Sequence, residues 1–248
     1  MPRYFLEVSY YGERYSGFQV QENANTIQAE VQKAFQTFYK RDVELTGSSR
    51  TDAGVHALQN FFHLDWNEEF NQKHIYNLNA ILPDDIVLRS VLAVKPTAHS
   101  RFDATSREYQ YHVYFEKNPF LQDRAWFFPF KIERELLHLA AANILTQDNF
   151  ISFSRQNTQV KTFICNVLES RWEDKEGELI YYVKANRFLR GMVRALVSTM
   201  LQVARGNKSW TDFESYFTHP VQSSADFAAP AKGLFLYKVN YPGGEFDS

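Results

Sequence analysis

From Arg3 to Tyr10 the chain alternates, with Tyr4, Leu6, Val8 and Tyr10 on one side, which predicts a β-strand. Tyr11-Gly12 and Ser16-Gly17 then mark a loop. Asn25-Thr26-Ile27-Gln28 has the form of a capped helix start, and Ile27, Val31, Ala34, Phe35 and Phe38 follow at helical spacing. Residues 59–64 predict a second strand, 73–81 a helix that stops before Pro83, and 87–94 a third strand. The second half repeats the theme. A strand is expected over 109–115 and an amphipathic helix over 133–145. Two strands, 167–172 and 178–185, flank the turn Lys175-Glu176-Gly177. A long helix over 188–205 ends at Gly206, a C′-like position, and is followed by a short helix over 210–217 and a last strand over 233–241. Strands separated by helices in both halves predict an α+β fold with two domains, 1–98 and 99–248, and no low-complexity linker between them.

Composition narrows the picture. The chain has 248 residues and 44% hydrophobic content, enough for a real core. Its formal charge is −2, so no global basic field draws nucleic acid to it. Residues 1–100 carry 9 Lys/Arg against 12 Asp/Glu, so any basic surface is expected in the second half. Cys165 is the only cysteine, which rules out disulfides within the chain and cysteine zinc clusters, and fits a reducing cytoplasm. The seven histidines show no metal-ligand spacing, so no metal is expected. No apolar run approaches the roughly 20 residues of a membrane span, and the strand pattern beginning at Arg3 leaves no room for a signal peptide. The glycines between Gly12 and Gly17 lack a following Gly-Lys-Ser/Thr, so no nucleotide cofactor is implied.

Three segments carry candidate chemistry. In Ser48-Ser49-Arg50-Thr51-Asp52-Ala53-Gly54-Val55-His56-Ala57, one carboxylate sits among small residues that leave room for a large ligand. On extended backbone Arg50 and Asp52 point to the same side, and an arginine close by favours the ionised carboxylate. Asp52 is thus a candidate nucleophile or base, although an anonymous Arg-x-Asp is more often an ion pair pinning a turn. In Arg101-Phe102-Asp103-Ala104-Thr105-Ser106-Arg107-Glu108-Tyr109-Gln110-Tyr111, arginines interleave with aromatics, a pattern suited to phosphates and base stacking. Tyr109 and Tyr111 could equally be alternate core residues of a strand. The third segment, Lys184 to Arg205, has five basic residues and no acid. Read as one helix, it sets Arg187, Arg190 and Arg194 in a stripe beside the apolar Val193, Leu196, Val197 and Met200. Arg194 would then be partly buried and need an anionic partner.

The run Arg50-Thr51-Asp52-Ala53-Gly54-Val55-His56-Ala57 resembles the signature of the TruA family of tRNA pseudouridine synthases. The resemblance extends over nearly the whole chain. Tyr10-x-Gly12 with Gly17-x-Gln19-x-Gln21 and Thr26-Ile27-Gln28 fits the family's opening block. Leu82-Pro83-x-Asp85-Ile86 and Asp148-x-Phe150-x-Ser152-Phe153 fit its middle, and Pro230-Ala231-x-Gly233-Leu234 its end. The resemblance implies two related, sandwich-like halves, each a mainly antiparallel sheet with helices on one face, and an active-site cleft between them. It implies a cytoplasmic isomerase that needs no redox partner, metal or ATP and converts uridine to pseudouridine in the anticodon stem-loop of tRNA, at positions 38–40. Asp52 would be the reacting group and Tyr109 the active-site aromatic. Met192-Val193-Arg194 matches a family motif whose arginine is expected to pair with the aspartate. Arg50, Arg101, Arg107, Arg187 and Arg190 are candidate contacts to RNA. A homodimer would supply basic surface that one chain lacks.

The sequence departs from the family pattern at Ser49, commonly glycine, at Tyr11, usually aspartate, at Phe18, usually tryptophan, and at Leu58, often glycine. None of these touches Asp52, Tyr109 or Arg194. Two other classes are weaker fits. A catalytically silent RNA-binding module has no reason to keep all three of those residues. A hydrolase would need a second acid or a metal, and the nearest acids in sequence are Glu44 and Asp65.

Overall fold

In a computed structural model, residues 1–156 and 160–243 are described. Contacts divide the chain into two units: Met1–Thr105 together with the chain from Phe235 on, and Ser106–Leu234. Among the described residues no helix is long and apolar enough to cross a membrane.

The first unit opens with β1 (Arg3–Tyr10), followed by α1 (Ile27–Tyr39), β2 (Thr46–Gly47), β3 (His56–Asp65), α2 (His74–Ile81) and β4 (Ile86–Val94). Its sheet runs β4–β1–β3, with β1 antiparallel to both neighbours and β2 paired to β3. Register sets Tyr4 opposite Leu64, Leu6 opposite Phe62 and Val8 opposite Asn60, all buried on one face. Helix α1 buries Ile27, Val31, Ala34 and Phe35, the spacing its sequence predicts. Ile27, Val31 and Phe35 each contribute about 1.5–3 kcal/mol by leaving water. The Thr26 side chain caps the helix by accepting from the Ala29 N–H. On the other face, Phe5 packs against Tyr241 at 5.2 Å, so β1 is covered on both sides.

The second unit contains β5 (Ser106–Tyr114), β6 (Trp126–Phe127), α3 (Arg134–Ile144), β7 (Val167–Lys175), β8 (Glu178–Ala185), α4 (Met192–Ala204) and α5 (Trp210–Thr218). Strands β5, β8 and β7 form an antiparallel run, with β6 parallel to β5. The β7–β8 turn has positive φ at both Glu176 (52°) and Gly177 (84°), the backbone that a two-residue hairpin requires. Helix α3 packs on β7 and α4. The last strand, β9 (Leu234–Asn240), returns to the first unit and pairs parallel with β3, His56 opposite Phe235 and Ala57 opposite Leu236.

The helix expected over 188–205 is shorter at its start. It begins at Met192, because Gly191 occupies the N-cap with a left-handed backbone, φ 77°. A Cβ there would also meet the Arg155 side chain at 3.1 Å. Arg187 and Arg190 therefore lie before the helix, and the stripe with Arg194 does not exist. Only Arg194 and Gln202 of α4 escape full burial. Gly206, with φ 82°, ends the helix at the expected position.

Candidate active site

Asp52 lies in the loop between β2 and β3, half-buried, with buried Thr51 before it and exposed Ala53 after it. The loop is pinned from several sides. The Phe18 N–H donates to the Thr51 carbonyl at 3.1 Å, and the Val55 N–H donates to the Asp52 carbonyl at 3.2 Å. The Thr51 hydroxyl shares a buried hydrogen bond with the Tyr10 phenol at 2.8 Å. The Asn60 amide donates to the Ser49 carbonyl and to the Tyr10 oxygen. These bonds engage backbone and neighbouring side chains, and leave the Asp52 side chain between small residues. Arg50 is exposed, and no ion pair joins it to Asp52. The two side chains that extended backbone could bring to one side form no ion pair.

His56 supports the loop from below. It is buried, and its Nδ1 accepts the Gly12 N–H at 2.9 Å. Its ring stacks on Tyr11 (4.2 Å, 17°) and packs against Phe235 at 4.6 Å. Two glycines make the close approach possible. A Cβ on Gly12 would stand 1.9 Å from the Val55 carbonyl oxygen, and Gly17, at φ 109°, lies against the Thr51 carbonyl. The bond from residue 12 to His56 spans distant parts of the chain and has no local signature in the sequence.

In the second unit, Tyr109 sits half-buried on β5 with the Phe188 ring edge-on at 5.0 Å. Tyr111, two residues on, is fully buried and donates to the Pro230 carbonyl at 2.8 Å. Burial pushes its phenol well above the usual tyrosine range. Of the strand's three tyrosines, Tyr111 and Tyr114 are core and Tyr109 is accessible. Arg194, in the first turn of α4, donates through Nε to the Ala229 carbonyl at 2.7 Å, and Arg107 donates to the Asn186 carbonyl at 3.3 Å. Arg190 is exposed, whereas Arg187 is half-buried near Cys165, whose thiol is pushed up to about 11 by burial. Arg101, in the first unit, is exposed beside the Phe102 ring at 5.6 Å. Neither unit alone holds Asp52, Tyr109 and Arg194.

The family model for tRNA pseudouridine synthase matches residues 7–103 and 140–242. The chain belongs to the tRNA pseudouridine synthase family. It is similar, at 39% identity over 246 residues, to a tRNA pseudouridine synthase A of Bacteroides thetaiotaomicron, covering 98% of this chain and 91% of that protein. A protein of the same description from Porphyromonas gingivalis is 39% identical over 251 residues (99% and 100%), and one from Staphylococcus saprophyticus 34% over 242 (96% and 90%). The family's reaction is an isomerisation of uridine to pseudouridine in tRNA.

The family's other motifs have structural work in this chain. Asp85 accepts from the Tyr15 phenol and pairs with Arg14, and its carbonyl takes the Tyr11 N–H at 2.9 Å. The Ser152 hydroxyl donates to the Tyr216 carbonyl at 2.7 Å, and its Oγ accepts the Val221 N–H. A Cβ on Gly233 would come within 2.8 Å of the Tyr111 ring. Phe18, where the family usually has tryptophan, stacks flat on Phe62 (4.5 Å, 11°) under Gly47, whose missing side chain makes that space. Leu58 is exposed, and Ser49 is buried with its carbonyl on Asn60.

Proposed function

We propose that this chain isomerises uridines in the anticodon arm of tRNA, at positions 38, 39 and 40, with Asp52 as the reacting carboxylate. The observation that carries the reading is the Asp52 loop: its backbone is fixed by buried partners while its carboxylate is flanked by Ala53 and Gly54. A target base in a stacked stem must be flipped out, at a cost of a few kcal/mol, and a side chain among small residues can receive it.

The reaction breaks the bond from uracil N1 to C1′, turns the base, and joins C5 to C1′. N1 gains a proton and C5 loses one, so the atoms balance without an external reactant. Asp52 would start it either by attacking sugar or base covalently, or by taking a sugar proton to give a glycal-like intermediate. Tyr109 would lie against the flipped uracil and assist loss of the C5 proton. Arg194 would pair with Asp52, leaving Arg50 to meet RNA. Arg101, Arg107, Arg187 and Arg190 would hold phosphates. The enzyme would work in the cytoplasm as a homodimer, with tRNA across both subunits. These roles rest on motif matches, residue by residue.

The test uses tRNA transcripts tritiated at uridine C5. The protein should release label, and Asp52→Ala should release none while still binding tRNA. Release by Asp52→Ala would overturn the assignment.

A further inference from the structure

Phe102 is 73% exposed, yet it does not stand on a loose loop. The turn beneath it is closed by four hydrogen bonds. The His99 N–H donates to Asp103 Oδ2 at 2.5 Å, and the Asp103 N–H donates to the His99 carbonyl at 3.1 Å. The N–H groups of Arg101 and Phe102 both donate to His99 Nδ1, at 3.1 and 3.3 Å. The His99 ring then backs Phe102 at 4.3 Å, and is itself set edge-on to buried His63 at 4.6 Å. Burial lowers the His99 pKa, which keeps Nδ1 an acceptor at neutral pH.

Single exposed apolar side chains are ordinary on a protein surface. This one differs in being held rigidly, buttressed on one side, and set beside a guanidinium at 5.6 Å. Arg101 and Thr105, close by in the chain, are exposed and polar. One ring face with one cation alongside has the dimensions of one nucleotide: a base stacks on the ring and its phosphate meets the arginine.

We propose that Phe102 is a stacking platform for one unpaired base of the substrate RNA, outside the uridine that reacts, with Arg101 on the adjoining phosphate. This rests on the reading of the substrate as tRNA, and it adds a contact that the family signature around Asp52 does not supply. Stacking on an aromatic is tolerant of base identity, so the platform would fix register on the RNA rather than choose a sequence.

The experiment measures Kd for an unmodified tRNA transcript by filter binding, across a salt series, with Phe102→Ala, Phe102→Leu and Phe102→Tyr in the full chain. Phe102→Ala and Phe102→Leu should weaken binding about tenfold, the equivalent of one stacked base. Phe102→Tyr should stay within about twofold. Stacking releases no counterions, so the salt slope should not change in these variants, whereas Arg101→Ala should lower it by about one. Wild-type affinity in Phe102→Leu would show that apolar contact suffices, and overturns the stacking role. Wild-type affinity in Phe102→Ala, or equal losses in all three, also overturns it. So does a change in sedimentation of Phe102→Ala, which would mean that a second copy of the chain covers the ring. Tritium release by the wild-type protein is measured in parallel: if release is seen and the platform test fails, only the platform is lost.

Discussion

The Gly12 N–H donates to Nδ1 of His56 across 44 residues of chain, inside the protein and directly beneath the Asp52 loop. The bond fixes one ring nitrogen as the acceptor, and with it the orientation of a ring that touches both Tyr11 and Phe235. Asparagine can place an oxygen near the Nδ1 position, whereas glutamine places its amide farther out. His56→Asn should therefore retain more tritium release than His56→Gln. Leaving the Gly12 N–H without a partner costs about 1–3 kcal/mol, which in a chain of this size lowers Tm by several degrees. Thermal melts and single-turnover release read the two effects separately. Equal loss in both variants would reject the role of Nδ1.

Gly12→Ala tests the same contact from the opposite side. Its Cβ would overlap the Val55 carbonyl oxygen, a backbone atom that no rotamer change can move away. Overpacking of this kind costs about 1–3 kcal/mol. Displacement of Val55 should reach Asp52, three residues back, so the release rate should fall even where the protein remains folded. A folded Gly12→Ala protein with full activity would show that the loop tolerates displacement.

The pairing of Arg194 with Asp52 can be settled by a double-mutant cycle on transition-state stabilisation. If the two act as a unit, Arg194→Ala and Asp52→Asn together should cost much less than the sum of the single losses, with a coupling of about 0.5–3 kcal/mol. Additive losses would show that Arg194 does not act through Asp52.

Arg50 is exposed and bears no ion pair to Asp52, so its charge is available to RNA. Arg50→Ala should reduce the slope of log K against log salt by about one, uniformly across tRNAs. An unchanged slope would place it away from phosphate.

Stability should depend on pH through His63. Burial lowers its pKa to about 4, with smaller contributions from Arg3 and His99, while its ordinary value is 6.5. Between these values the unfolded chain binds a proton that the folded chain refuses, so stability falls as pH drops from about 6.5 towards 4. The full effect is about 3 kcal/mol. Asp65 acts lower on the scale. Arg3 holds its carboxyl below the usual range, so its contribution is present above pH 3.8 and is lost as pH falls through the lowered value. Urea unfolding between pH 7 and 4.5 reads His63 together with His99, whose pKa burial also lowers, and His63→Asn should reduce the dependence. An unaltered slope in that variant would reject His63 as its source.

What could be read from the sequence follows the range of the interactions. Helix α1 was legible because Thr26 and its apolar spacing are local, and so was the β7–β8 hairpin with Gly177 at its turn. The start of α4 was not. Arg187, Arg190 and Arg194 have helical spacing, but Gly191 adopts a left-handed backbone that the spacing cannot register. Tyr109 and Tyr111 share one side of β5 by period, and distant residues packed on Tyr111, Trp126 and the Pro230–Gly233 segment, separate core from accessible residue. Asp52 was found through its neighbours in sequence, but the residues that hold it, Tyr10, Phe18 and Asn60, come from three other places in the chain.

The return of β9 to pair with β3 at His56 and Ala57 bears on the order in which the protein can mature on the ribosome. The first unit is missing the strand that pairs with the start of β3 until about 240 residues have been translated and have left the exit tunnel. A nascent chain stalled before that point can fold α1 and the β1–β3–β4 sheet, but Phe235 is not yet there to close over His56. The support of His56 by β9 therefore arrives late in synthesis, and a stop codon just before β9 leaves a nearly complete protein that lacks it.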